Sequence, residues 1–195
     1  MPLPHIEVQK IRHGSGADAI DHVAQRTAQD AGQPEEEQTA VLHRSDHIDD
    51  DDTHGRGGPQ TEAFIREFGD ADLMYQKTGW RLSKSMLATE SRWMRENDPE
   101  LFEKTAMFLS VPDYISMKMT GIPAVDMSDA GNNQFANIRT GCYDPEILKF
   151  SGVREDQLPK LVHSGDVIGH LTAEAAEAMG LSTDCVLVAG AHDQY

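Results

Sequence analysis

No aromatic residue occurs before Phe64 in this chain of 195 residues, which confines any large hydrophobic core to the part after residue 56. Aromatic side chains bring the largest buried areas to a core. The first 55 residues hold six of the nine histidines (His5, His13, His22, His43, His47 and His54) and are rich in Gln, Asp and Glu. Ordering a backbone costs about 1–2 kcal/mol per residue. A segment with so little apolar surface cannot offset that cost. Residues 1–55 are therefore expected to be an acidic, disordered segment, and residues 56–195 the folded part. Within the first part, ADAIDHVAQRTAQDAG has at most the pattern of a frayed helix ended by Gly32.

The formal net charge of −16 repels phosphate backbones and anionic lipid heads, arguing against nucleic-acid and membrane partners. No apolar run approaches the roughly 20 residues that span a bilayer. The start, MPLPHIEVQK, lacks the apolar stretch of a signal peptide. A cytoplasmic protein is expected. The two cysteines, Cys142 and Cys185, have no metal-ligand spacing and are expected to be reduced and packed. The run Asp46–Gly55, DHIDDDDTHG, is dense in ligand types. It lacks the glycine and glutamate that an EF-hand loop requires. It reads as a solvated acidic linker, with weak cation binding as the competing role, and no metal-ligand set is assigned.

Beyond residue 56 the pattern is α/β. TEAFIREFGD places Phe64, Ile65 and Phe68 on one side of a helix ended by Gly69. SKSMLATESRWMREN offers Met86, Leu87, Trp93 and Met94 as an apolar stripe. DPELFEKT and DPEILKFSG each have an Asp at the N-cap and Pro at the first helical position. PDYISMKMTG reads as a helix closed by Gly121, and TAEAAEAMGL as one capped by Thr172 and closed by Gly180. AMFLS and CVLVAGA read as buried strands.

Two stretches have the composition of a site. CVLVAGA ends in Gly190-Ala191 and then His192-Asp193-Gln194. Ligands of open α/β sheets bind beyond the carboxyl ends of strands. An acid placed there accepts a proton from a bound hydroxyl. Capping a following helix is an equally fitting role for Asp193, and His192 reads as its packed neighbour. AVDMSDAGNNQ, residues 124–134, reads as a turn that fixes a loop beside the site, with direct substrate contact as the alternative. Neither GxGxxG nor GxxxxGK[ST] occurs, so no phosphate-cradling glycine loop is present.

Seven pieces follow one another in a recognisable order: RGGPQTEAFIREFG, TGWRLSKSM, RWMRENDPELFEK, FLSVPDYISMKMTG, AVDMSDAGNNQFANI, DPEILKFSGVREDQLPKLVHSGDVIG and VLVAGAHDQY. Together they resemble the FGGY carbohydrate kinases, a family that includes xylulokinase, gluconokinase, glycerol kinase and autoinducer-2 kinase. The resemblance runs from Arg56 to Tyr195. It implies the actin-like, ribonuclease-H-like ATPase fold, of which this chain would hold part of the first of two α/β domains. It implies that Asp193 is the general base toward a sugar or polyol hydroxyl and that Gln194 hydrogen-bonds the substrate. Leu82, Ser83 and Lys84 would approach the sugar, and Arg56 would shape the pocket wall. His54 stands where the family has an acidic residue. The family uses ATP and Mg²⁺ and admits homo-oligomers.

The family's DxGT-type phosphate turn does not occur here. The chain is therefore expected to be a truncated piece that binds neither ATP nor Mg²⁺ and is inactive alone. Residues 1–55 would be either a native disordered tail or the product of a shifted reading frame. Two other functions compete: a noncatalytic sugar-binding or interaction module derived from such a kinase, and an acidic metal buffer resting on Asp46–His54.

Overall fold

The computed structural model describes residues 57–193, together with the backbone of one strand, β1 (Gln38–Val41). Arg56, Gln194, the Asp46–Gly55 run and the candidate helix before Gly32 lie outside the described residues.

Helix α1 (Gly58–Phe68) carries a proline in its first turn and ends at Gly69, whose φ of 77° is the left-handed geometry that closes a helix. Phe64 is fully buried and Phe68 packs beside it, but Ile65 is 44% exposed. Residues i and i+4 share a helix face, and the neighbour at i+1 is turned about 100° away. The expectation for Ile65 is corrected on that ground. Helix α2 (Asp72–Thr78) ends at Gly79. Helices α3 (Leu87–Asn97) and α4 (Pro99–Lys104) meet at Asp98, whose carboxylate accepts the Leu101 N–H. Strand β2 (Thr105–Leu109) buries Phe108 and Leu109 completely and runs parallel to β1.

Helix α5 (Val111–Thr120) begins with a capping box in which Ser110 and Asp113 hold each other's main chain, and it ends at Gly121. Strand β3 (Ala124–Asp126) feeds helix α6 (Met127–Asn132) directly. A short hairpin, β4 (Ala136–Asn137) with β5 (Cys142–Tyr143), precedes helix α7 (Pro145–Ser151). Asp144 caps α7, accepting from the Glu146 and Ile147 N–H groups. A single 3-10 turn (Glu155–Gln157) leads to β6 (Lys160–Val162), parallel to β3. Strand β7 (Val167–His170), helix α8 (Ala173–Met179, capped by Thr172) and β8 (Val186–Val188) complete the described chain, with β7 and β8 antiparallel.

The core lies between α1, α3, α7 and β2. Phe64, Phe68 and Phe150 form an aromatic triangle, with Phe64 and Phe150 edge to face at 5.2 Å. Met74, Met94, Phe102, Phe135 and Ile147 fill in around it. Burial of this kind contributes about 25 cal/mol per Å² of apolar surface, so this half of the molecule is where stability concentrates.

Two further expectations are corrected. Strand β8 is not buried: Val186 and Val188 are 44% and 47% exposed, while Leu187 between them is half-buried. Alternate residues of a strand face opposite sides, and among the described residues only the Leu187 side of the β7–β8 pair meets other elements. Both cysteines are free thiols, but Cys142 is exposed. It stands on β5 opposite in sense to Tyr143, which turns inward and donates its hydroxyl to Pro159 O at 2.6 Å.

Candidate active site

Three segments far apart in sequence meet at the carboxyl ends of β3 and β8. Each reaches that place for a local reason.

The first is β3 with α6. All three residues of β3 are buried, and Asp126 stands at its carboxyl end beside Val162 of β6. Asp126 Oδ1 accepts the Ser128 N–H at 2.8 Å and so caps α6. The same oxygen also accepts a short hydrogen bond from the Ser128 hydroxyl. AVDMSDAGNNQ is thus a strand and a capped helix, more regular than the turn expected from its composition. Its Asx geometry at Asp126 is what the sequence did indicate.

The second is the end of α2 and the loop after it. Trp80 follows Gly79, which has a φ of 80°. Gly131 of α6 lets the helix come close, since a Cβ there would lie 2.8 Å from Thr78 O and 3.7 Å from the Trp80 ring. The loop is tied to the α6 segment by Gln134, whose Nε2 donates to Arg81 O at 2.5 Å.

The third is the closing segment after β8. The His192 N–H donates to Ser128 Oγ at 2.7 Å. The His192 ring meets the Trp80 ring with centroids 5.0 Å apart. His192 Nδ1 lies 3.1 Å from Asp193 Oδ1, and the Asp193 side chain is 88% exposed.

Three carboxyl groups, Asp126, Asp129 and Asp193, gather at this place. Burial first, then the charge of Asp126 and the hydrogen bond with it, push the Asp129 carboxyl up to about 6, with Asp193 adding to the rise and His192 opposing it. Two carboxyl groups this close share a proton readily. Asp113, buried at the start of α5, is pushed up to about 7, mainly by burial. Among the described residues no group of three or more His, Cys, Asp or Glu side chains is placed to hold a metal ion.

The candidates from sequence divide accordingly. Asp193 stands beyond a strand end, as expected, with its carboxylate open to solvent. Leu82 packs against the main core. Ser83 is drawn into its own loop: its carbonyl accepts the Thr89 hydroxyl at 2.9 Å and its Oγ lies 3.3 Å from Ser85 Oγ. Lys84 O lies so near α1 that a Cβ on Gly57 would come within 2.2 Å of it. These three residues share the Trp80 loop, but it is Trp80 that touches the closing segment. Trp80 was not singled out from sequence, and Ser128 and Asp129 were marked only as part of the 124–134 stretch. The pairing of an Asp with a Ser two residues on, after an apolar strand, was the available signal for Ser128.

A carboxylate beyond a strand end, an aromatic ring and a capped helix thus meet at one place. The chain belongs to the FGGY family of carbohydrate kinases: the model of that family's N-terminal domain matches residues 56–195. It is 33% identical over 138 residues to the xylulose kinase of Bacillus subtilis (strain 168), covering 71% of this chain and 27% of that protein. It is 32% identical over 101 residues to the L-fuculokinase of Escherichia coli (strain K12), covering 52% of this chain and 21% of that one. The chain thus spans about a quarter of the length of the curated relatives it matches. Among solved structures, it superposes on xylulose kinase from Rhodospirillum rubrum with a TM-score of 0.65 at 27% identity, over 72% of this chain and 28% of that one. Gluconate kinase from Lactobacillus acidophilus gives a TM-score of 0.65 at 21% identity over 80% of this chain and 34% of its own, a likeness of fold alone. The fold is that of the actin-like sugar kinases, as the sequence pattern implied. No helix of the described residues is long and apolar enough to cross a membrane.

Proposed function

We propose that residues 56–195 form the acceptor side of a carbohydrate kinase site in which Asp193 is the general base toward a sugar or polyol hydroxyl. The observation that supports this most is the exposed Asp193 carboxylate just past β8, on a segment held by Ser128 and packed against Trp80. In the reaction the hydroxyl oxygen bonds to the γ-phosphorus of ATP as the bond from that phosphorus to the β–γ bridging oxygen breaks. The hydroxyl proton passes to the Asp193 carboxylate, and ADP leaves with the bond's electron pair. Bound with the nucleotide, Mg²⁺ offsets phosphate charge. Among the described residues no group of three or more His, Cys, Asp or Glu side chains is placed to hold it. Arg56, Leu82, Ser83, Lys84 and Gln194 are assigned to the sugar pocket on the family pattern, and residues 1–55 to a separate acidic segment.

With no DxGT-type phosphate turn in its sequence, the chain alone is expected to turn over little or no ATP. The test is calorimetric titration with D-xylulose, L-fuculose, gluconate and glycerol, paired with a coupled ATP-consumption assay. Binding of one of these that Asp193→Asn weakens, with the melting temperature unchanged, supports the assignment. Failure of all of them to bind sinks it. Binding that is indifferent to Asp193→Asn favours a noncatalytic sugar-binding module. Turnover abolished by Asp193→Asn would instead show that the chain is active by itself.

A further inference from the structure

We infer that Ser128 is the positioning residue for Asp193, acting through the main-chain N–H of His192. The inference deepens the assignment of Asp193 as general base and rests on it.

Strand β8 ends at Val188, and the last backbone bonds of its hairpin are those of Ala189 with Asp166 and Gly165. Gly190 and Ala191 then carry the chain outward, and among the described residues a Cβ on Gly190 would meet nothing within 4 Å. A segment with a glycine in open space has many conformations available. A carboxylate two or three residues beyond it needs an external anchor to be held in a productive geometry. Ser128 supplies one across 64 residues of sequence.

The hydroxyl suits that role because of its other partner. Asp126 Oδ1 accepts a hydrogen bond from the Ser128 hydroxyl, so the lone pairs of Ser128 Oγ are left to accept. Acceptance from the His192 N–H at 2.7 Å is then the complementary bond. Asp126 itself is 7% exposed, sits in the β3–β6 pair and caps α6. The direction of donation therefore runs from the outlying segment into a part of the molecule that cannot easily shift. The bond to Asp126 keeps the hydroxyl rotor fixed. Ser128 touches no reacting atom in this scheme. It sets the His192–Asp193 peptide, and the Trp80 ring holds the imidazole on the other side.

The test compares Ser128→Ala, which deletes the hydroxyl, with Ser128→Thr, which keeps it. In the full chain, amide exchange at His192 is expected to quicken about tenfold in Ser128→Ala, the worth of one hydrogen bond, and to return toward the parent rate in Ser128→Thr. Amides of α3 and α7 should exchange at parent rates in both variants. Backbone order parameters at His192 and Asp193 should fall from the rigid range in Ser128→Ala alone. Affinity for whichever of D-xylulose, L-fuculose, gluconate or glycerol the parent binds should fall with them and recover in Ser128→Thr. Unchanged His192 exchange in a folded Ser128→Ala overturns the inference, as does a mobile Asp193 in Ser128→Thr. If Ser128→Ala does not fold, the Ser128→Thr comparison and Asp126→Asn, which weakens the anchor while keeping an acceptor, decide the same question. If no sugar binds the parent chain, the kinase assignment fails, and His192 exchange still decides whether Ser128 holds the segment.

Discussion

The Trp80 and His192 rings meet edge to face, with centroids 5.0 Å apart and planes at 65°. That contact joins the loop after α2 to the segment bearing Asp193, two stretches separated by more than half the chain. It makes Trp80 a wall of the site.

An edge-to-face aromatic pair is worth about 0.5–1.5 kcal/mol beyond its buried area. Trp80→Ala is therefore expected to weaken sugar binding about three- to tenfold, with Trp80→Phe retaining most of it. Calorimetry with the sugar that binds the parent checks this, and equal affinities in all three proteins would remove Trp80 from the site.

Gln134 has a φ of 63°, a left-handed backbone conformation unusual outside glycine. It is fully buried, and among the described residues its Oε1 has no hydrogen-bond partner while its Nε2 holds Arg81 O. Gln134→Ala keeps the strain and loses the bond, so it should cost about 1–3 kcal/mol. Gln134→Gly should recover about 1 kcal/mol of that by relieving the backbone. Urea unfolding of the two variants measures both figures, and the reverse order would refute this account of the site's edge.

Stability should depend on pH through Asp113 and Asp129. Both carboxyls hold a proton more tightly folded than unfolded, at about 7 and about 6 against an ordinary 3.8, mainly because burial disfavours their charge. Their stabilising contribution is complete below the ordinary value and is lost as pH rises through 6 and 7. Between pH 4 and 8 the melting temperature of Asp113→Asn should fall less than that of the parent. For a group as buried as Asp113 the difference is on the order of a few kcal/mol. Parallel curves for the two proteins would contradict the shift.

Asp144 works in the opposite sense. It is buried, and against the upward push of burial the Lys77 ammonium at 2.8 Å, Asn137 and the α7 N–H groups hold its carboxyl below the usual range. Its contribution is present above the ordinary carboxylate value and is lost as pH falls through its lowered one. Asp144→Ala uncaps α7 and leaves Lys77 with Glu146 alone, at 2.6 Å, and should cost about 1–3 kcal/mol. Lys77→Met should cost less, because Asp144 keeps its cap and Asn137. Chemical denaturation at pH 7 gives the comparison.

The sequence by itself determined whatever closes within one or two helical turns. Asp98, Asp144 and Thr172 cap the helices they precede, and Gly69, Gly121, Gly152 and Gly180 end helices in left-handed conformations. Such bonds join residues two to four apart, so local composition is enough to specify them. The ordered segments from Arg56 to Tyr195 likewise marked the family before any geometry was known. Tertiary structure alone decided which side of a short element faces inward, turning Phe64 into the core and Ile65 out, and leaving Val186 and Val188 exposed on a strand that reads as buried. It also decided the site. Ser128 is an ordinary first-turn helix serine until the segment after β8 returns beside β3 and brings the His192 N–H to its hydroxyl. A bond across 64 residues leaves no periodic trace in composition, because its two ends are brought together by the packing of everything between them.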